Sequence, residues 1–501
     1  MSEVNHWIPV WHFWAPESRH YPFDPNGCIF WNGRYHVFYL FQDKSVASGD
    51  CCWGHASSAD LINWDFHPAA LICDMPGEKA MFSGCALLDR AGRPTLVYHS
   101  VGQGTCVAFP EDDNLIRWRK SEHNPVIREP KEQDPEFAVY HVFDPHVWLE
   151  KDCYYAILGA RAKPYVEYDT AYLFRSHDLT HWKYCRPFYQ ATDHFCARYD
   201  DCACPDFFRI GDSWVLLCIS HTRGARYYVG DYIEHTFVPR SHHWLNFPGG
   251  NMFAPETLCD AAGRRIAWFW LLPRFPQKQS VLSMPQIWSL PHELKMAEDG
   301  SALLHFVPKE FACLCETPFA PLEHFPVAGE RVLFPYRSQS CKIEVDVTIL
   351  AGSVTFEVLA DAEGKEALLL RLDAEQNLLS LDHSRAGVSQ SRSPYFVNLG
   401  APEKEEDLCQ KVPWYGDKDG RFRFDIYLDH CVVELFSSDG RCTATQLVYN
   451  YSECNRIACQ VAPEAKVCFH SLKVCPMKAA NRTAPRPESW TTCIGVKRPV
   501  N

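Results

Sequence analysis

The sequence lacks most of the features that mark nucleic-acid-binding, membrane or metal-dependent proteins. No block of Lys and Arg stands out among its 501 residues, and 49 basic residues face 62 acidic ones, a formal net charge of −13. A nucleic acid or an anionic membrane is therefore not an expected partner. No apolar run approaches the roughly 18 residues of a membrane span, and the opening stretch MSEVNHWIPVWHFWAPESRH has no basic segment leading into an apolar one. The chain reads as soluble and cytoplasmic. Its 24 cysteines are about 5% of the residues, below the roughly 8–10% of a disulfide scaffold. No C-x-x-C pair and no H-E-x-x-H occurs, and the 23 His show no ligand spacing, so no metal is expected and no His is given a role. A glycine-rich phosphate loop is missing as well, and no cofactor is implied.

What is present is apolar mass. Hydrophobic residues make up 47% and aromatic residues 14% of the chain, enough for two or three domains with large cores. Five segments share a polar turn followed by a short apolar strand: WNGRYHVFYL, DRAGRPTLVYHS, EKDCYYAILGA, RIGDSWVLLCIS and DAAGRRIAWFWLL. Their turn residues Gly33, Gly92, Asp152, Gly211 and Gly263 recur at about sixty-residue intervals. A second series, SSADLINW, EDDNLIRW and RSHDLTHW, ends at Trp64, Trp118 and Trp182. Repeats of this length with several short strands suit the four-stranded blades of a propeller, five in number; an ordinary hairpin-rich β-sandwich is the alternative.

The texture changes near residue 330. CKIEVDVTIL, SVTFEVLA, RFRFDIYL and KVCFHSLKV alternate apolar and polar residues between Gly, Asp and Ser turns, as a two-sheet antiparallel sandwich does. The expected fold is all-β, a five-bladed β-propeller over 1–310 and a C-terminal β-sandwich over 331–476. A linker covers 311–330 and an extended tail 477–501.

In a propeller, equivalent positions on successive innermost strands converge on one axial pocket. Counting back eight or nine residues from each turn reaches Asp24, Ser83, Asp144, Ala203 and Ala254, with Glu256 close by. Asp-Pro pairs are ordinary turn sequences. Two acids at the same offset in different repeats are less ordinary, because carboxylates brought to one pocket repel unless they bind polyols, hold a proton or stabilise a cation.

These segments resemble glycoside hydrolase family 32, the invertase, fructan hydrolase and sucrose-6-phosphate hydrolase group. YPFDPNGCIFWNGRYHVFYLFQ (21–42), CCWGHASSADLINW (51–64), MFSGCAL (81–87), VFDPHVW (142–148), ACPDFFRIGDSW (203–214), FAPETL (253–258) and IWSLPHEL (287–294) follow the family's motifs in order. RFRFDIYLDHCVVELFSSDGRCTATQLVY (421–449) is similar to its final sandwich strands, and the similarity spans about residues 5–475. The resemblance implies a five-bladed propeller followed by a sandwich and retaining hydrolysis of β-fructofuranosides, with a small carbohydrate as the partner. By position, Asp24 would be the nucleophile and Asp144 would stabilise the transition state. Trp53, Phe82 and Ser83 match positions that line the sugar pocket.

Departures from the family pattern are concentrated at the same motifs. Ala203 stands where the acid/base glutamate belongs, Phe143 where an arginine precedes Asp144, and Phe23 where an asparagine precedes Asp24. The expected glutamine is Leu40, with Gln42 as a shifted substitute. Either the chain is a Glu→Ala inactive variant, which the intact Cys-Pro-Asp-Phe-Phe context favours, or it naturally lacks that acid. A chain lacking it would use another donor, with Asp201, Asp206 and Glu256 nearest, or would be a non-catalytic carbohydrate-binding pseudoenzyme. Phe23 and Phe143 would give the sugar pocket apolar faces, making sucrose a poor substrate and an unusual fructoside or difructose a better one; second-line packing is the alternative for both. A fructosyltransferase on the same scaffold is a further alternative.

Overall fold

A computed structural model of the chain describes residues 6–18, 22–42, 51–165, 167–190, 198–273, 285–387, 409–451 and 453–483. The expected tail beyond 483 lies outside the described residues. Almost all regular structure among the described residues is strand, with short 3-10 turns such as Pro135–Ala138 and Lys309–Leu314. None of the described helices is long and apolar enough to cross a membrane.

Residues 25–306 form five successive antiparallel sheets, whose first strands are Pro25–Trp31, Met81–Leu88, Pro145–Glu150, Ala203–Ile210 and Met252–Cys259. These inner strands touch one another in order, and Pro25–Trp31 meets both Met81–Leu88 and Met252–Cys259, so the ring closes. The sheets are the blades of a propeller. Strands squeezed between two neighbouring sheets lose the polar face of a half-exposed strand, and Ser213–Ser220 accordingly reads as a nearly unbroken buried run.

The Trp-ending repeats have a local cause. Leu61, Leu115 and Leu179, each three residues before its Trp, all adopt left-handed backbone (φ 67°, 60° and 66°) and are buried. That conformation is unfavourable for a branched side chain. Aspartate turns hold it: Asp60 Oδ1 accepts the amides of Ile62 and Asn63, Asp112 Oδ1 that of Ile116, and Asp178 Oδ1 those of Thr180 and His181.

Strands from Arg331–Arg337 to Lys466–Pro476 make two packed sheets of six and five strands. Their period-two pattern is plain in Ser340–Ala351, where Cys341, Ile343, Val345, Val347 and Ile349 face the core and alternate with Lys342, Glu344, Asp346 and Thr348. Beyond the sandwich the chain returns to the propeller, where Arg482–Thr483 pairs in parallel with Trp64–Asp65 as a fifth strand of the first sheet.

A buried ionic cluster joins the two domains. Asp429 accepts the amides of Val10, Trp11 and His12 (2.8, 2.9 and 2.9 Å), and His12 bridges Asp429 to Glu434 through Nδ1 and Nε2, both 2.9 Å. Glu434 also accepts the Leu290 amide (2.6 Å) and the Thr445 hydroxyl (2.9 Å). Burial opposes these charges, but the hydrogen bond from His12 and the nearby His292 ring, its Nε2 3.7 Å from Glu434 Oε2, hold Glu434 down at about 2, and Asp429 is also lowered.

Candidate active site

The pocket residues sit where the inner strands begin. Asp24 is fixed by its own carbonyl, which accepts from the Leu40 amide (3.0 Å) and from Asn26 Nδ2 (2.9 Å), while Asn26 Oδ1 takes the Gly84 amide and ties the first sheet to the second. The Asp144 carbonyl accepts from Gly159 N. Four of the five inner strands break register near this end, at Asn26/Ile29, Phe82/Gly84, Ala203/Asp206 and Met252/Pro255. Such bulges re-aim side chains.

The structure brings Asp24, Ser83 and Asp144 together. Ser83 Oγ donates to Asp24 Oδ2 at 2.7 Å, and Cys204 Sγ lies 3.7 Å from Asp24 Oδ2 and 3.5 Å from Asp144 Oδ2. The Cys204 amide also donates to Asp144 Oδ2 (3.2 Å). The other oxygens, Asp24 Oδ1 and Asp144 Oδ1, are buried and accept no hydrogen bond from any described residue. Desolvation raises both acids to about 6; the Asp24 charge adds to the shift of Asp144, whereas the Ser83 hydroxyl, His221 and the Cys204 thiol offset part of that of Asp24.

Ala203 is enclosed in the core beneath this site, and the residue that reaches both carboxylates is its neighbour Cys204, at φ 44° inside the bulge. Phe143 is half-buried beside the pocket, with Phe82 edge-on at 6.2 Å and His221 at 6.5 Å between ring centroids. Phe82, also half-buried, flanks it. Phe23, expected to offer a face to a sugar, has no exposed surface and packs among Phe13, Tyr39 and Trp288. Trp53 is likewise fully enclosed, with Nε1 donating to the Phe82 carbonyl, so it supports the pocket wall from behind. Gln42 ends its strand half-buried. Glu256 is buried with Asp206, Arg265 and Cys28 as its electrostatic neighbours; burial first, then Asp206, holds its carboxyl well above the usual range.

Sequence reasoning passed over Cys204 and His221. His221 stands at the tip of the hairpin joining the second and third strands of the fourth sheet, between paired Ser220 and Gly224. The second sheet has the same frame, Ser100 paired with Gly104. A Ser-x-x-x-Gly repeat aimed at the pocket end was the available signal. His221 Nδ1 lies 2.5 Å from Asp201 Oδ2, and its amide donates to Asp201 Oδ1 (2.9 Å). Burial disfavours the charged ring, but Asp201, Asp144 and Asp24 together raise its pKa. The whole arrangement offers two carboxylates with free oxygens, a thiol between them and a cation-prone imidazole at the edge. That set can attack, stabilise positive charge and move a proton.

Residues 12–306 match the sequence profile of the glycosyl hydrolases family 32 N-terminal domain, and residues 324–476 that of the family 32 C-terminal domain. A levanase of Bacillus subtilis (strain 168) is 24% identical over 97% of this chain and 73% of its own length. A sucrose-6-phosphate hydrolase of Vibrio alginolyticus is 25% identical over 89% and 87%. In fold, fructan 1-exohydrolase IIa from Cichorium intybus superposes with a TM-score of 0.79 at 20% identity, covering 96% of this chain and 99% of that one.

Proposed function

This chain belongs to glycosyl hydrolase family 32, and from that premise we propose that it acts as a retaining glycosidase on β-fructofuranosides or closely related furanosides. The observation that carries the reading is the pair of buried aspartates from different sheets, both within 3.7 Å of one sulfur and each with an oxygen that no described residue hydrogen-bonds. Asp24 is the nucleophile: its carboxylate attacks the anomeric carbon and forms a glycosyl ester. Ser83 holds the other oxygen in place. Asp144 binds sugar hydroxyls and stabilises the oxocarbenium-like transition state. Phe143 gives the glycone side an apolar wall, which favours a furanoside poorer in hydroxyl contacts than sucrose.

Position 203, the family's acid/base position, carries alanine. A methyl group transfers no proton, so cleavage of substrates with poor leaving groups is slowed, by about 10²–10⁴-fold where general acid catalysis is lost outright. The test uses β-fructofuranosyl fluoride, whose leaving group needs little protonation, alongside sucrose and 1-kestose. The chain should cleave the fluoride, azide should trap a fructosyl azide of retained configuration, and Asp24→Asn should abolish both. Ala203→Glu should raise the rates on the sugar substrates. Ala203 also supports a second reading, a carbohydrate-binding protein without turnover; binding of the sugars with no cleavage of the fluoride would select it. Fructosyl transfer would appear as longer oligosaccharides at high donor concentration.

A further inference from the structure

We infer that His221, oriented by Asp201, is the proton donor and acceptor of this site, in the place left without a carboxyl at position 203. The inference rests on the glycosidase reading above and extends it to a residue outside the family's motifs. Asp201 holds His221 twice, through the ring Nδ1 and through the backbone amide, which leaves Nε2 as the ring nitrogen that can face a substrate. No described residue hydrogen-bonds Nε2, and the side chain keeps 16% of its surface exposed. Arg226 donates to the Asp201 carbonyl (2.7 Å), and Ser220 and Arg223 tie the hairpin to Asp200, so the base of the arrangement is rigid. The ring lies against Phe143 and Phe253, 6.5 and 6.1 Å between centroids, at the same end of the ring of sheets as the aspartates. Among the described residues, the charges that act most strongly on it are those of Asp201, Asp144 and Asp24.

In the first step the Asp24 carboxylate forms a bond to the anomeric carbon as the carbon–oxygen bond to the leaving group breaks. The departing oxygen takes the proton from Nε2, leaving neutral imidazole. In the second step Nε2 takes a proton from water, the resulting hydroxide equivalent bonds to the anomeric carbon, and the Asp24 carboxylate departs. His221 ends protonated, as it began. Asp201 touches no substrate and is a positioning residue that favours the imidazolium.

His221→Gln should lower kcat/KM for sucrose and 1-kestose by about 10²–10⁴-fold and that for β-fructofuranosyl fluoride by less than about tenfold, with an unchanged melting temperature. His221→Asn provides a second variant if the first folds poorly, and added imidazole should partly restore His221→Gly on sucrose. Asp201→Asn should move the alkaline limb of the kcat/KM profile to lower pH. Equal losses on sucrose and the fluoride, an unmoved alkaline limb, or a native chain that cleaves the fluoride but neither sugar would overturn the assignment. A native chain that leaves the fluoride intact instead defeats the glycosidase reading itself.

Discussion

Two buried clusters in this molecule each set a pair of carboxylates close to histidine, and they are built to opposite rules. At the joint between propeller and sandwich, each carboxylate oxygen of Asp429 and Glu434 accepts at least one donor, and both groups are held below their ordinary pKa. At the mouth of the ring, Asp24 and Asp144 each keep an oxygen with no partner among the described residues, and both are raised to about 6. Saturation turns buried charge into mechanical connection. Leaving lone pairs unfilled stores a desolvation cost that a bound sugar and its developing positive charge can relieve.

The largest effect separating the two is on turnover. Asp24→Asn should reduce cleavage of β-fructofuranosyl fluoride by on the order of 10³-fold or more, whereas His12→Ala at the joint should leave activity per folded molecule within about twofold. A comparable loss in both variants would break the distinction.

Unfolding should invert that order. His12→Ala strands two buried carboxylates and should cost about 3–5 kcal/mol in denaturant unfolding. Asp24→Asn should stabilise the chain, because the folded-state pKa lies above the unfolded value and ionisation of Asp24 opposes folding once the pH exceeds both. The gain should reach at most about 3 kcal/mol near pH 8 and vanish by about pH 4, where the native carboxyl is already protonated. An Asp24→Asn variant that is less stable at pH 8 would place Asp24 among the saturated carboxylates.

The joint should itself be pH-sensitive with the opposite sign. Asp429 and Glu434 are depressed, so their contribution is present above the ordinary carboxylate range and is lost as pH falls toward about 2; His12 is raised, so its contribution holds below about 6.5 and fades as pH rises through its elevated value. His12→Ala should therefore cost most between about pH 4.5 and 6.5, read from melting temperatures across pH. The smallest shift belongs to Ser83→Ala, which removes a donor from Asp24 Oδ2. The acid limb of kcat/KM should move to higher pH, since the charged nucleophile loses a hydrogen bond.

Much of this organisation is legible in the chain. The Asp-Leu or Asn-Leu turn before Trp64, Trp118 and Trp182 recurs because each repeat needs the same left-handed leucine, and alternation in Ser340–Ala351 is what a strand with one core face requires. Asp24 and Asp144 could be paired because their offsets from the turns agree. Phe23 and Trp53 could not be told from wall residues in this way, since an aromatic side chain beside a pocket and one beneath it have the same composition.

The order of the strands, the repeat that sets five sheets in succession and the acids that begin the inner strands follow from the sequence, because hydrophobic period and turn chemistry act over a few residues. Which side chain finally meets those acids was decided by tertiary structure. A bulge at Ala203/Asp206 turns Cys204 toward the carboxylates, and a hairpin tip sets His221, held by Asp201, where the charges of both aspartates act on it. Both depend on how sheets pack around a closed ring, and at the bulge a register shift of one residue exchanges the side chain that faces the axis for its neighbour.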